Sequence, residues 1–523
     1  MTAQHGLAAV LLLLLLAECA LAQGGGRLSP AELDRARREA AFRPRGLIYN
    51  NDGDDVFADV ESVSPEALLA QRTTGIEGTY VDAIAYSTTR SFAGWTHETQ
   101  ACPPFLVTDG PFEHNMTGEL IAQGTDPLRV IVDYCHKNGL DAFWSMRMND
   151  THDAKNEAMR PQWKLDRPHL LMGTSANAPR YGGWTAVDYG QPEVRDLAFE
   201  VITDVMRRYD VEGVELDFYR HPVLFRAHAE GGVATDENRA QMTDLLRRIR
   251  VAADEVAAQR GRPMLISARV PDSLSYAAAI GLDLRTLLEE RVFDILIPSG
   301  YVQFVPWRET VALCHENGVA CYPCLSTPTN RDRPERALRG AIETYRARAV
   351  NAWYAGADGL QIFNIFKQSH PVWNELGNPG ELLGLDKRFF VTFLGPRMAS
   401  PYLGGGQGHV TIPTLSPHAP VTIEAGTQHE EPIEVGEEIT AGGALAPEVL
   451  LSVQFAQLPP AAETAVSLNG RRLVAPDTDE GWLRYRVPAE LVLMGDNAVR
   501  VDVGADAEEP VVWRDAYIDV RYP

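Results

Sequence analysis

Cysteine is scarce, basic side chains are outnumbered, and long apolar runs are nearly missing. Six cysteines in 523 residues make no dense disulfide framework. With 48 Lys and Arg against 71 Asp and Glu, the net charge is -23. That disfavours nucleic acid and anionic membrane surfaces as partners, since both need clustered cations. The one marked apolar run, AAVLLLLLLAECALA (8–22), is short for a bilayer span and ends in Ala20-Leu21-Ala22, a small-x-small cleavage site. It reads as a secretory signal cleaved after Ala22, so a secreted or periplasmic chain without membrane insertion is expected. Neither G-x-S-x-G nor a phosphate loop occurs, and no G-x-G-x-x-G follows the first strand. The common serine hydrolase, the phosphate-loop enzyme and the dinucleotide enzyme thus have no support. No cofactor is expected. Cys321 and Cys324 lie in VACYPCLS, a strand-like run, and read as core cysteines or one incidental disulfide.

What is present is a rhythm. A charged helix-like segment, PAELDRARREAAF (30–42), precedes it. Eight apolar runs then begin near 46, 78, 140, 211, 264, 293, 319 and 358. Segments of helical period separate them, such as PEVRDLAFEVITDVMRRYD (192–210), which starts on Pro192 and ends basic. This alternation predicts a (β/α)8 barrel over 45–395, after a leader (1–22) and an N-terminal linker with helix (23–44). A doubly wound open sheet is the structural alternative. Past Gly404-Gly405-Gly406 helical period disappears, and short alternating runs with a hairpin signal at Asn469-Gly470 predict a β-sandwich over 396–523.

In such a barrel, chemistry gathers where strands end. The fourth run, VEGVELDFYRHP (211–222), places Glu215 and Asp217 on one face and Val214, Leu216 and Phe218 on the other. The apolar set should meet the helices, leaving both acids inside the barrel. Buried carboxylates are costly unless paired or used. For Glu215, the deeper one, a salt bridge to Arg147 or Arg269 is the expectation; for Asp217, at the mouth, chemistry is. The third run ends WSMRMNDTHD, offering Arg147, Asn149, Asp150, His152 and Asp153. The fifth ends with Arg269 and Asp272, the sixth with Ser299, Tyr301 and Gln303, and the eighth with Gln361 and Asn364. The first ends YNNDGDD, where Asn50 or Asn51 reaches the site and the acids read as turn residues or a calcium loop.

VEGVELDFYRHP resembles the V-D-G-I-H-x-D-D-Y-x-Y-P stretch of the glycosyl-hydrolase-like family 10, secreted bacterial barrels. More distantly, GVELDFYRH is similar to G-x-R-L-D-x-x-K-H on the fourth strand of the α-amylase family. The resemblance implies a glycosidase-like barrel with Asp217 as its reference carboxylate and Arg220 and His221 near the sugar. Glu215 stands where those families carry Arg or His, and Phe218 where one carries a second Asp. The fifth and seventh strands lack the amylase acids, so amylase activity is not implied.

The resulting expectation is a secreted glycoside hydrolase acting on a poly- or oligosaccharide through a carboxylate pair. Asp217 is the candidate nucleophile. Asp272 is the first candidate for general acid, with Glu215 and Asp150 behind it. Asn51, Arg147, Asn149, Asp150, His152, Arg220, His221, Arg269, Tyr301 and Asn364 are the candidate substrate contacts. Trp95, Trp144, Trp163, Trp184 and Trp307 fall near the same mouth and offer faces for sugar rings. Two alternatives remain: a glycan-binding barrel without catalysis, in which Asp217 is locked in a salt bridge, and a metal-dependent hydrolase using Asp150, His152 and Asp217. No metal-ligand spacing is present, so no metal is assigned. Nothing in the sequence marks an oligomeric state.

Overall fold

The computed structural model describes residues 28–328, 333–393, 399–439, 446–460 and 463–523. The leader expected over 1–22 lies outside them. Eight parallel strands follow one another: β1 (Leu47–Asn51), β2 (Val81–Ser87), β3 (Asp141–Arg147), β4 (Gly213–Asp217), β5 (Leu265–Val270), β6 (Ile295–Pro298), β7 (Ala320–Cys321 with Cys324–Ser326) and β8 (Leu360–Phe363). Each pairs with the next, and β8 pairs with β1. The first half of β7 pairs with β6 and its second half with β8, so the sheet closes into the barrel. Tyr322 and Pro323 interrupt β7 because Pro323 has no N–H to give. The seam still holds: Tyr322 N donates to Leu296 O, and Pro323 O accepts from Gln361 N.

Alternation along the strands sorts the side chains into two cores. Ile48, Ala83, Ala85, Phe143, Leu265, Ile295, Ile297 and Phe363 fill the lumen. Tyr49, Trp144, Val214, Leu216, Ile266 and Ala268 face outward to helix residues such as Val201, Val205, Leu245 and Ile249. Helix α1 (Pro30–Ala41) starts on a reciprocal capping box between Ser29 and Glu32, with Pro30 in its first turn. Its Ala41 packs into the lumen core, so α1 plugs the floor of the barrel. Arg37 pairs with Asp294 at 2.8 Å, and Arg45 with Asp141 at 2.7 Å, just before β6 and at the start of β3. The floor is thus held by buried charge pairs, leaving the opposite, C-terminal mouth for chemistry.

The C-terminal region is two antiparallel sheets. One runs Lys387–Phe390, Val511–Arg521, Glu448–Phe455, Trp482–Val487 and Asp477–Asp479, and Val421–Ile423 joins it on Val511–Arg521. The other runs Gln428–Val435, Gly495–Val503, Thr464–Leu468 and Arg471–Arg472. The last hairpin turns on Asn469 and Gly470, both with positive φ, as their sequence demands. Two segments cross the 395/396 boundary set from sequence. Lys387–Phe390, on the barrel side, pairs with the final strand of the sandwich. Residues 399–411, on the sandwich side, run over the barrel mouth: Tyr276 OH donates to Ala399 O, Gly182 N to Pro401 O, and Thr411 N to Phe304 O. A buried Arg339–Asp515 pair at 2.9 Å also ties the barrel to the sandwich. The five described cysteines are free thiols, Cys321 and Cys324 included.

Candidate active site

The lumen is apolar near its floor and polar above. The register sets Ser145, Glu215 and Ser267 side by side on β3, β4 and β5, with Arg147, Asp217 and Arg269 one layer higher. Glu215 is fully buried, and three neutral groups hold it. Asn50 Nδ2 donates at 2.8 Å and Ser145 Oγ at 2.6 Å to Oε1, while Gln361 Nε2 donates to Oε2. Neither Arg147 nor Arg269 bonds to it, which corrects the expected salt bridge; both guanidinium groups are spent on acids nearer the mouth. Burial therefore raises the Glu215 carboxyl above its ordinary range, although Arg269 pulls the other way.

Asp217 is tied to Arg269 through both oxygens, with Nη2 to Oδ2 at 2.6 Å and Nε to Oδ1 at 3.1 Å. Tyr219 N and Arg220 N also donate to Oδ1, at 2.9 and 3.0 Å. The chain turns back over its own carboxylate as β4 ends. Oδ1 has three donors and Oδ2 one, so Oδ2 keeps acceptor capacity. Asp272, beyond the end of β5, is held differently. Phe304 N donates to its two oxygens at 3.0 and 3.2 Å, Val305 N donates at 3.4 Å, and no cation pairs with it among the described residues. Burial pushes its carboxyl up to about 7, with those amides opposing only in part. Phe304, whose N–H holds it, packs its ring against Tyr276, and Tyr276 OH in turn donates to Ala399 O.

A second cluster stands on the loops after β3 and β4. Arg147 Nη1 donates to Asp150 Oδ2 at 2.9 Å. Asp150 Oδ1 accepts from His152 Nδ1 at 2.8 Å, and Arg220 Nη2 donates to His152 Nε2 at 2.8 Å. His152 thus presents Nδ1 to an acceptor and Nε2 to a donor. Thr151 N donates to His221 Nδ1, and burial holds that ring well below the usual histidine range. The same surroundings hold Asp150 well below the carboxylate range, because His152 and Arg147 outweigh its burial. Asp150, His152 and His221 place ligand atoms within 4.8 Å of one another. Arg147 and Arg220 bond directly to this set, and two guanidinium groups oppose a divalent cation there. Asp217, the third member of the expected metal set, is instead bound to Arg269.

Several candidates sit away from the mouth. Asn51 points out of the lumen, binding Asp55 and Gly53 N; Asn50, one residue earlier, has lumen parity. Asn149 shares parity with Arg147, but the strand ends between them, and its amide clamps Val187 and Val223. Trp95 and Trp144 are fully buried. The acids after β1 are not a calcium loop: Asp52 pairs with Arg72, Asp54 with Arg90, and Asp55 accepts from Tyr86 OH. The aromatic face at the mouth is half-buried Tyr301, stacked on Tyr219 at 6.0 Å and reached by the Arg220 guanidinium at 5.7 Å. Asn364, half-buried at the end of β8, has φ +63°, and Ser299 at the end of β6 has φ +74°. Such backbone strain concentrates at functional sites. Reading outward from Ile48 at period two finds Asn50; no sequence signal marks Tyr402, which brings its ring to 6.2 Å from His221.

No curated protein matches the chain. Among solved structures, it is similar to the PgaB (BpsB) glycoside hydrolase domain from Bordetella bronchiseptica at 11% identity and TM-score 0.39, over 61% of this chain and 94% of that one. It is similar to a cycloisomaltooligosaccharide glucanotransferase from a Paenibacillus species at 9% identity and TM-score 0.34, covering 91% of this chain and 57% of that one. This chain therefore spans little over half the glucanotransferase. A maltogenic α-amylase, AmyB from Thermotoga neapolitana, gives 10% identity and TM-score 0.35, over 88% of this chain and 99% of that one. Residues 108–235 match the model of the family described as Glycosyl hydrolase-like 10. That stretch holds Arg147, Asp150, His152, Glu215, Asp217, Arg220 and His221, so the likeness noted on the fourth strand extends over the ends of β3 and β4.

Proposed function

We propose that this chain is a secreted glycoside hydrolase that cleaves O-glycosidic bonds of a poly- or oligosaccharide, with Asp217 and Asp272 as its carboxyl pair. One observation carries the reading: adjacent strand ends hold two acids in opposite environments. Asp217 lies against a guanidinium and two backbone N–H groups. Asp272, enclosed and with no cation paired to it among the described residues, is pushed up to about 7 and so holds its proton up to about neutrality. Divergent environments of this kind are what an acid and its ionised partner require. Asp272 protonates the leaving oxygen, and Asp217 acts on the anomeric side through Oδ2, as nucleophile or by assisting water. Arg147, His152, Arg220, His221, Tyr301 and Asn364 bind the sugar hydroxyls and ring. Secretion belongs to the proposal and rests on the leader sequence alone; an exported chain starting at Gln23 supports it.

The second reading is a glycan-binding barrel without catalysis. It is favoured by the Arg269 fork, which takes both oxygens of Asp217. The test separating them incubates the mature protein and its Asp217→Asn variant with a broad glycan panel, with and without EDTA. Fragments released by the wild type, lost in the variant and indifferent to EDTA support the hydrolase. Intact glycan bound equally by both proteins, with nothing released, sinks it.

A further inference from the structure

Between the barrel and the sandwich lies a cavity of about 420 Å³ whose lining includes neither Asp217 nor Asp272. Its walls come from the loop after β6, the helix Ile342–Tyr354, the strand Lys387–Phe390 with the residues after it, and the sandwich. The size suits a small organic ligand. Most of its polar wall is already spent. Arg308 pairs with Glu434 at 3.1 Å and Asp496 at 3.5 Å, and Arg388 with Asp519 at 2.6 Å. Asn351 bonds Glu434 O and Gly436 N, and Gln303 bonds Val305 O.

Arg348 is the exception. It is 7% exposed and lines the cavity. Its guanidinium donates from Nη1 to Ser326 O at 2.9 Å and lies 3.6 Å over the Phe393 ring. Among the described residues no carboxylate pairs with it, and burial lowers its pKa to about 10, with only Tyr345 and Cys324 opposing. A buried cation without an anion is costly, and a guanidinium fork is complementary to a carboxylate. Trp307, Phe390 and Phe393 add aromatic wall beside it.

We propose that this cavity is a second ligand site, in which Arg348 receives the carboxylate of an acidic sugar. The sugar part rests on the carbohydrate reading above; the carboxylate part does not. Ser326, the acceptor of Arg348, ends β7, so Arg348 ties the cavity wall to the end of a barrel strand.

The test is calorimetric titration of the mature chain with sodium D-glucuronate, D-glucose and sodium acetate, at constant ionic strength. Glucuronate should bind, acetate more weakly, and glucose not measurably. Arg348→Gln should weaken glucuronate by about tenfold or more, the size of a lost charged hydrogen-bond partner. Ile412→Trp fills the cavity from the segment that follows Thr411 and leaves Arg348 in place, so it serves if the first variant does not fold. It too should block glucuronate. Glucose or acetate binding as well as glucuronate, or glucuronate binding unchanged in the folded variants, overturns the proposal. Glycan cleavage plays no part in the readout, so failure here is separate from failure of the hydrolase.

Discussion

Two layers of one barrel treat the same chemical group differently. Glu215 and Asp217 are two residues apart on β4, face the same lumen and are both buried. The middle layer surrounds its carboxyl with two amides and a hydroxyl, whereas the mouth layer meets its carboxyl with a guanidinium and the turning backbone. Neutral donors satisfy lone pairs without fixing a charge. A guanidinium fixes the charge and leaves an ion pair that cannot lose one member cheaply. Asp272 adds a third solution, a buried carboxyl held by backbone amides alone, which is poised near neutrality. The lesson is that equal burial does not bring equal partners: each layer supplies its carboxyl with different donors.

The sharpest way to break this comparison is to remove the proton donor. Asp272→Asn should lower the rate of glycan cleavage by about 10²–10⁴-fold, the usual contribution of a general acid, with the fold intact by circular dichroism. Next in size is the ion pair. Arg269→Met should cost about 3–5 kcal/mol in urea unfolding, because it strands the Asp217 charge. Adding Asp217→Asn to it should cost less than the two changes summed.

The third prediction concerns pH. Asp272 has an ordinary value of 3.8 and a folded value of about 7. Between those limits the folded state holds a proton that the unfolded state has released. The stabilisation from protonated Asp272 is therefore full below pH 3.8 and is lost as pH rises through about 7. Glu215, also raised, acts in the same direction. Thermal melts should show stability falling across this window, and Asp272→Asn should flatten the fall.

The smallest effect belongs to Glu215→Gln. Gln361 Oε1 has no partner among the described residues, so its amide can turn to accept from the new side chain, while Asn50 and Ser145 keep their acceptor. A change within about 1 kcal/mol is expected, the net scale of one neutral hydrogen bond. A loss as large as that for Arg269→Met would erase the distinction between the layers.

The barrel was legible because its signal is repeated. All eight apolar runs are strands, and period two placed Glu215 and Asp217 in the lumen. Partnerships were less legible, since they join distant segments. Asn50, Ser145 and Gln361 lie 165, 70 and 146 residues from Glu215. Parity failed where strands ended: Asn149 shares a face with Arg147 only while β3 continues, and the loop then turns its amide to other backbone. Nor could alternation reveal that residues 399–411, from an otherwise β-rich region, run over the mouth and bond to Tyr276 and Phe304. The group of Asp150, His152 and Arg220 was visible as polar loops, but its order of hydrogen bonds needed coordinates.

The most direct test is the pH profile of kcat/KM for cleavage of a glycan found in the panel, measured for the wild type and Asp272→Asn. If Asp272 is the proton donor, the wild-type rate falls as pH rises through about 7, and the residual activity of the variant lacks that limb. An unchanged limb in the variant, or a variant as fast as the wild type, would contradict the assignment of Asp217 and Asp272 as the working pair.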